Sequence, residues 1–284
     1  MSTSPLFMAL IDNAALFPPG NVPMPEAVGA HDDHRAAWYK ALVGPFLCAA
    51  TRLDELAVHL AARTDPFGVT VVVDTGTGGV GPAVDAVAAD DRLVLRGIEV
   101  AVRAEPLADS ARRTVAALDG ALGGPDDDEP AYVEIPRLPG WRDALEVVAD
   151  SGYRAKLRSG GATPEAFPPE DHVAAFILSC LELDVPFKFT AGLHRAVRHT
   201  APDGVEHHGF LNVLLGVAVA LDGGEAADVA VTLADRDAAG LADRVRALGL
   251  GPSARVRTWC NSYGSCSIAE PVDELLDLRL ISKA

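Results

Sequence analysis

Residues 186–199 read PFKFTAGLHRAVRH. Phe187 and Phe189 alternate with Lys188 and Thr190, so a strand here turns two aromatics to one side and an amine and a hydroxyl to the other. His194 and His199 follow Gly192 in what reads as a loop. Helix-covered parallel strands normally read as apolar runs, so a lysine inside one needs an interior that can receive it.

The same grammar recurs along the chain. Strand-like runs bounded by turn residues are PFLCAA from 45, VTVVVD from 69, LVLRGIEVAV from 93, AYVEIPR from 131 and YRAKLRSG from 153. Helical spacing separates them: Leu53, Leu56, Ala57 and Leu60 follow Thr51, and Trp141, Ala144, Leu145 and Val148 precede Gly152. Strands alternating with helices predict a parallel sheet. With 186–192 as a sixth strand, ADVAVTLAD from 227 as a seventh and ARVRTWCNSYG from 254 as an eighth, the α/β chain closes as a (β/α)8 TIM-like barrel; an open doubly wound sheet is the alternative. Residues 1–44, with a helix near 33–43, are expected to be an N-terminal helical extension covering a barrel end, within one domain spanning 1–284. GGPDDDEP from 123 reads as an exposed acidic loop.

Composition narrows the partners. The chain has 284 residues, 24 Lys and Arg against 40 Asp and Glu, and a net charge of -16. Nucleic-acid binding relies on clustered cations, so a small-molecule ligand is expected instead. GFLNVLLGVAVAL, 209–221, reads as a buried helix, short of the roughly 18 apolar residues a membrane span needs. The opening MSTSPLFMALIDNAALFPPG lacks a basic segment followed by a long apolar core, and Cys48, Cys180, Cys260 and Cys266 form no CxxC pair, so a cytoplasmic, reducing location is expected. A homo-oligomer is compatible with these residues, which do not fix the state.

Only four of the 24 basic residues are lysines, at 40, 156, 188 and 283. Where any cation would serve, this chain uses arginine. Lysine differs because it can lose its proton and act as a nucleophile, which arginine effectively cannot. Lys156 and Arg158 share one strand face, as do Lys188 and Thr190, and Glu99 and Glu134 add two carboxylates. If all point inward, Lys188 is the expected imine-forming residue, its pKa depressed by Lys156 and Arg158, with Glu134 or His194 moving protons. Simple ion pairing is the competing explanation of the same residues.

Other motifs are weaker. Gly76, Gly78 and Gly81 in VVVDTGTGGVG fit G-x-G-x-x-G, but they follow the second strand and lack the acidic residue a dinucleotide site wants, so a ligand-contacting loop at the barrel mouth is expected. His194, Glu134 and His208 would be the ligands if a divalent metal were bound, although their spacing matches no zinc motif. Ser159, Gly160 and Gly161 form one small-residue loop, and Gly264, Ser265 and Ser267 another, where amides and hydroxyls could meet an anion. Ser267 with Glu270 also reads as a plain capping box. Cys266 lies beside them with no evident base in sequence.

LIDNAALFPPGNVPMPEAV, AKLRSGG, FKFTAGLHRAVRH, HGFLNVLL and SYGSCSIAEPVDEL together resemble a family of uncharacterised bacterial proteins, which implies no activity. More loosely, the chain is similar to class I aldolases of the deoxyribose-phosphate type, (β/α)8 enzymes with a Schiff-base lysine on strand six. That resemblance implies an imine on Lys188 by position. Those enzymes carry a helper lysine on strand seven, whereas the count above puts Lys156 on strand five. The expected function is lyase or aldolase-type chemistry on a small anionic carbonyl compound, phosphorylated or not, with no certain cofactor. The alternatives are a metal-dependent hydrolase or lyase, and a non-catalytic ligand-binding barrel.

Overall fold

The structure is a computed structural model that describes residues 4–126 and 128–283, so Asp127 of the acidic loop lies outside them. Strands β1 (Ile11–Asn13), β2 (Val43–Ala49), β3 (Phe67–Val73), β4 (Leu93–Ala101), β5 (Ala131–Glu134), β6 (Arg154–Arg158) and β7 (Phe187–Thr190) are followed by a small hairpin, β8 (His199–Thr200) with β9 (Glu206–His207), and by β10 (Cys260–Ser265). All but the hairpin close in the order β1-β10-β7-β6-β5-β4-β3-β2, every neighbouring pair parallel. This is the closed eight-stranded barrel with alternating helices, not an open sheet.

Two expectations about its staves are corrected. Residues 1–44 are not only an extension: Ile11–Asn13 is the first stave, paired with β10 through Ile11↔Tyr263 and with β2 through Ile11↔Val43. A three-residue strand is too short for a period-2 pattern to show. The segment leading into it is held by Arg257, whose Nη1 donates to the carbonyls of Leu6 at 3.2 Å and Met8 at 2.6 Å. The helix in this region spans Met24–Ala36 rather than 33–43.

The doubtful seventh strand is a helix, Ala226–Ala234. Its Val229, Thr232 and Leu233 are buried while Val231 is exposed, a helical spacing, and Glu225 with Asp228 forms a capping box at its start. The eighth stretch divides: Leu250–Trp259 is helical and the strand begins at Cys260. Staves β2 to β7 therefore each rise by one in the count while the last stays eighth, so Lys156 stands on the sixth and Lys188 on the seventh.

The outward face of β7 sits where alternation puts it. Phe187 and Phe189 meet Phe176 of the helix Glu170–Glu182 edge-on, at centroid separations of 5.6 and 6.1 Å. The helix Phe210–Leu221 is buried from Phe210 through Ala218, and its Asn212 works as a staple. Asn212 donates to the carbonyls of Thr232 and Asp235 at 2.9 and 2.7 Å and accepts from the Arg198 amide at 2.9 Å. It thereby fixes the loop after β7. Among the described residues no helix is long and apolar enough to cross a membrane.

Candidate active site

The inward positions of the staves build the site. Register sets Glu134 beside Lys156, Lys156 beside Lys188 and Arg158 beside Thr190. Lys156 donates to Glu99 Oε2 at 2.5 Å and to Glu134 Oε2 at 2.8 Å. Lys188 donates to Glu99 Oε1 at 2.6 Å and to Asp12 Oδ2. The Glu99 carboxylate thus bridges the two lysines. Arg158 Nε donates to Glu134 Oε1 at 3.1 Å, and Ser262 Oγ donates to Asp12 Oδ2 at 2.7 Å. Three cations, Lys156, Lys188 and Arg158, therefore balance three carboxylates, Asp12, Glu99 and Glu134.

A cavity of about 510 Å³ opens above this cluster. Lys156 and Glu99 form its floor, Arg158, Thr190, His194 and Cys266 its polar side, and Phe17, Pro18, Pro19, Leu47, Val72 and Phe167 its apolar wall. Lys188 does not line it. It lies one layer down, its ammonium 5.1 Å from the Tyr132 ring centroid. The side chain sequence reasoning chose as nucleophile is sealed beneath the site, and its neighbour meets the cavity.

The expected electrostatics of Lys188 are also reversed. Burial draws its ammonium down, but the charges of Asp12 and Glu99 more than offset this and hold it well above the usual lysine range. The expected depression counted the neighbouring cations and missed Asp12, which a short strand hides. Burial raises Glu99 as well, yet Lys156 and Lys188 overcome it and bring its pKa down to about 2. Glu134 is lowered despite burial by Lys156 and Arg158. In Asp12 the balance falls the other way: burial pushes the carboxyl up against the pull of Lys188 and Ser262. Gly44 gives this carboxylate its room, since a Cβ there would meet Asp12 Oδ1 at 2.2 Å.

The anion-loop residues divide. Thr190, Gly161 and Gly264 line the cavity, whereas Ser159, Gly160, Ser265 and Ser267 do not. Ser159 Oγ donates to the Ala191 carbonyl at 2.6 Å, and its amide donates to the Thr190 carbonyl at 2.8 Å. A Cβ on Gly160 would meet Gly192 Cα at 2.7 Å, so these two loops touch backbone to backbone. Ser265 Oγ donates to the Ser267 carbonyl at 2.7 Å, and Ser267 Oγ accepts from the Glu270 amide at 3.2 Å. Their hydroxyls hold loops together, and Ser267 is a cap. Gly76, Gly78 and Gly81 do not reach the cavity; β3 contributes Val72 instead.

The residues named for a metal are not brought together. Glu134 is taken by Lys156 and Arg158, and His208 is buried with Nε2 2.7 Å from the Pro168 carbonyl and Nδ1 3.3 Å from Arg198 Nη1. His194 Nδ1 lies 3.7 Å from Cys266 Sγ and 3.6 Å from Glu270 Oε2. Among the described residues no three His, Cys, Asp or Glu are grouped to hold a metal ion. The histidine that does enter the cavity from the hairpin is His207, stacked on Phe167 with centroids 4.2 Å apart.

Sequence reasoning missed Asp12, Ser262, Tyr132 and the apolar wall. Phe17, Pro18 and Pro19 were read as part of the extension, and CNSYGS carries no polar–apolar alternation that would have singled out Ser262. Compared with known proteins, the chain matches no family model, no curated protein and no solved structure.

Proposed function

We propose that this barrel is an enzyme acting on a small carbonyl compound through an imine on Lys156. The observation that carries the reading is the placement of Lys156: a buried primary amine at the floor of an open cavity, clasped by two carboxylates. Six buried or half-buried charges are costly to desolvate, and an apolar cluster of equal volume would often serve stability as well or better. A function in the cavity explains why they are kept. Lys156 also stands on the sixth stave and Lys188 on the seventh, the pattern that the aldolase resemblance implies for the imine-forming and helper lysines.

The chemistry balances on these residues. Lys156 gives one proton to the cluster, and its lone pair attacks the carbonyl carbon while the carbonyl oxygen takes up a proton. The carbinolamine then loses water as the C=N bond forms, leaving an iminium of the same charge as the original ammonium. Glu99 and Glu134 therefore face one positive charge before and after. The iminium draws electrons from an adjacent bond, which permits C–C cleavage or proton removal. Glu134 and His194 are the groups at hand to move protons. Burial lowers the His194 pKa, with Glu270 opposing, so its imidazole is neutral and able to accept one. Lys188 serves as a fixed charge that holds Glu99 in place.

Borohydride reduction with a panel of aldehydes and oxo acids tests this. A mass adduct mapped to Lys156 is expected, lost in Lys156→Arg and retained in Lys188→Arg, because a guanidinium can supply charge but not a nucleophile. An adduct on Lys188, or its persistence in Lys156→Arg, would overturn the assignment. The non-catalytic reading is favoured by one observation, that both lysines are fully paired to carboxylates. It expects saturable ligand binding without any adduct.

A further inference from the structure

The cavity carries a second message, about the shape of its ligand. Arg158 lines it with half of its side chain exposed, and only Nε is engaged, with Glu134. Its two terminal nitrogens have no partner among the described residues. A guanidinium edge with two free N–H groups matches a carboxylate in fork geometry. Lys156 is bound to the other oxygen of the same Glu134 carboxylate, which keeps the amine and the guanidinium within a few ångströms of each other. A ligand that meets both must carry its carbonyl close to its acid group.

Charge limits that acid group. The floor is balanced, three cations against three carboxylates, so any anion added is held by the free edge of Arg158. Burial lowers the pKa of both His194 and His207, which favours their uncharged forms. The serines that could have cradled a phosphate, Ser159, Ser265 and Ser267, are spent on their own loops. A carboxylate fits one fork; a phosphate dianion would leave a charge unmatched. The same cavity is lined by Phe17, Pro18, Pro19, Leu47, Val72 and Phe167, whose side chains offer nothing to a polyol and cover an apolar chain or ring.

The geometry points to an unphosphorylated 2-oxo or 3-oxo monocarboxylic acid with an apolar tail, its carboxylate on Arg158, its carbonyl at Lys156 and its tail against the Phe17–Pro19 and Phe167 wall. This rests on the imine reading for the carbonyl end only. The carboxylate and tail assignments stand on Arg158 and the wall.

The test compares 4-methyl-2-oxopentanoate with pyruvate, 4-methylpentanal and glyceraldehyde 3-phosphate, following reductive trapping on Lys156 and, separately, thermal stabilisation without reductant. The branched oxo acid is expected to trap and stabilise at the lowest concentration. Arg158→Leu is expected to raise its half-saturating concentration about tenfold or more and that of 4-methylpentanal by clearly less, since only the acid loses a charged hydrogen bond to the guanidinium. Preference for the phosphorylated compound, for pyruvate or for the aldehyde overturns the assignment, as does a wild-type value in Arg158→Leu. Arg158-dependent stabilisation by the branched acid with no adduct from any carbonyl removes the imine and keeps the carboxylate site. Absence of both adduct and stabilisation removes both. The wild-type panel keeps the question open to refutation should Arg158→Leu fold poorly.

Discussion

Lys156 and Lys188 stand side by side in register on β6 and β7 and share the carboxylate of Glu99, yet they belong to different layers of the barrel. One layer is the cavity floor, the other the packed interior beneath it. In the upper layer Lys156 shares its partners: Glu99 also has Lys188, and Glu134 also has Arg158. In the lower layer Lys188 is the lysine on Asp12, whose carboxylate has besides it only the Ser262 hydroxyl among the described residues. Two identical side chains are thereby given different surroundings, one at the cavity floor between shared carboxylates, the other sealed away beneath it.

Removing each charge should break the two layers apart by different amounts. Lys188→Met leaves Asp12 without its cation and is expected to cost about 3–5 kcal/mol, the usual loss when one partner of a buried pair is deleted. Lys156→Met leaves every carboxylate with a cation and should cost clearly less, about 1–3 kcal/mol. Urea denaturation of both variants measures this. Equal losses would mean that the layers are one structural unit and that the cavity floor has no separate role.

Acid separates a paired group from an unpaired one. His31 is wedged between Phe46 and Phe67, with Nδ1 3.2 Å from Asn13 Nδ2 beside the lower layer. Burial, then Arg35, bring its pKa from 6.5 to about 4, with Asp32 opposing and His34 and Arg63 adding slightly. The unfolded chain takes up that proton first, so stability is full above pH 6.5 and falls by about 3 kcal/mol as pH drops towards 4, then levels for this residue. His194 and His208, also lowered by burial, act in the same direction. Glu99 adds nothing until lower pH: its contribution is present above 4.5 and is lost as pH falls towards 2. Denaturation curves at pH 7.5 and 5 should therefore differ in the wild type and differ less in His31→Phe. A flat profile between those values would show that His31 takes up its proton as readily in the folded chain as in the unfolded one.

How far these layers could be read in advance depended on strand length and on loops. Five-residue and longer runs such as LVLRGIEVA and RAKLR carry their alternation openly, so Glu99, Lys156 and Arg158 could be placed inward together. Asp12 could not, because Ile11–Asn13 offers one inward position and no period. That one miss displaced the stave count and inverted the expected pKa of Lys188. Helix Ala226–Ala234 misled for a different reason: Val229, Val231 and Thr232 favour strands intrinsically, and tertiary burial of Val229 and Leu233 overrode that preference. Ser159–Gly161 follows β6 as a loop, whereas Gly264 and Ser265 belong to β10, and whether a serine faces the cavity or its own backbone is set by contacts such as Gly160 against Gly192, which join loops over 30 residues apart.

The finest probe of the upper layer is a thiol. Cys266 lines the cavity, while Cys48, Cys180 and Cys260 are buried. Burial raises all four thiols, Cys48 and Cys260 to about 12, so reaction should be confined to Cys266 and slower there than for a free thiol. Iodoacetamide labelling followed by peptide mass mapping should find one modified cysteine. A ligand seated between Arg158 and the apolar wall should protect it. In Lys156→Gln that protection should persist at higher ligand concentration if the wall and Arg158 bind independently of the imine. Its complete loss would instead tie occupancy of the cavity to the amine at its floor.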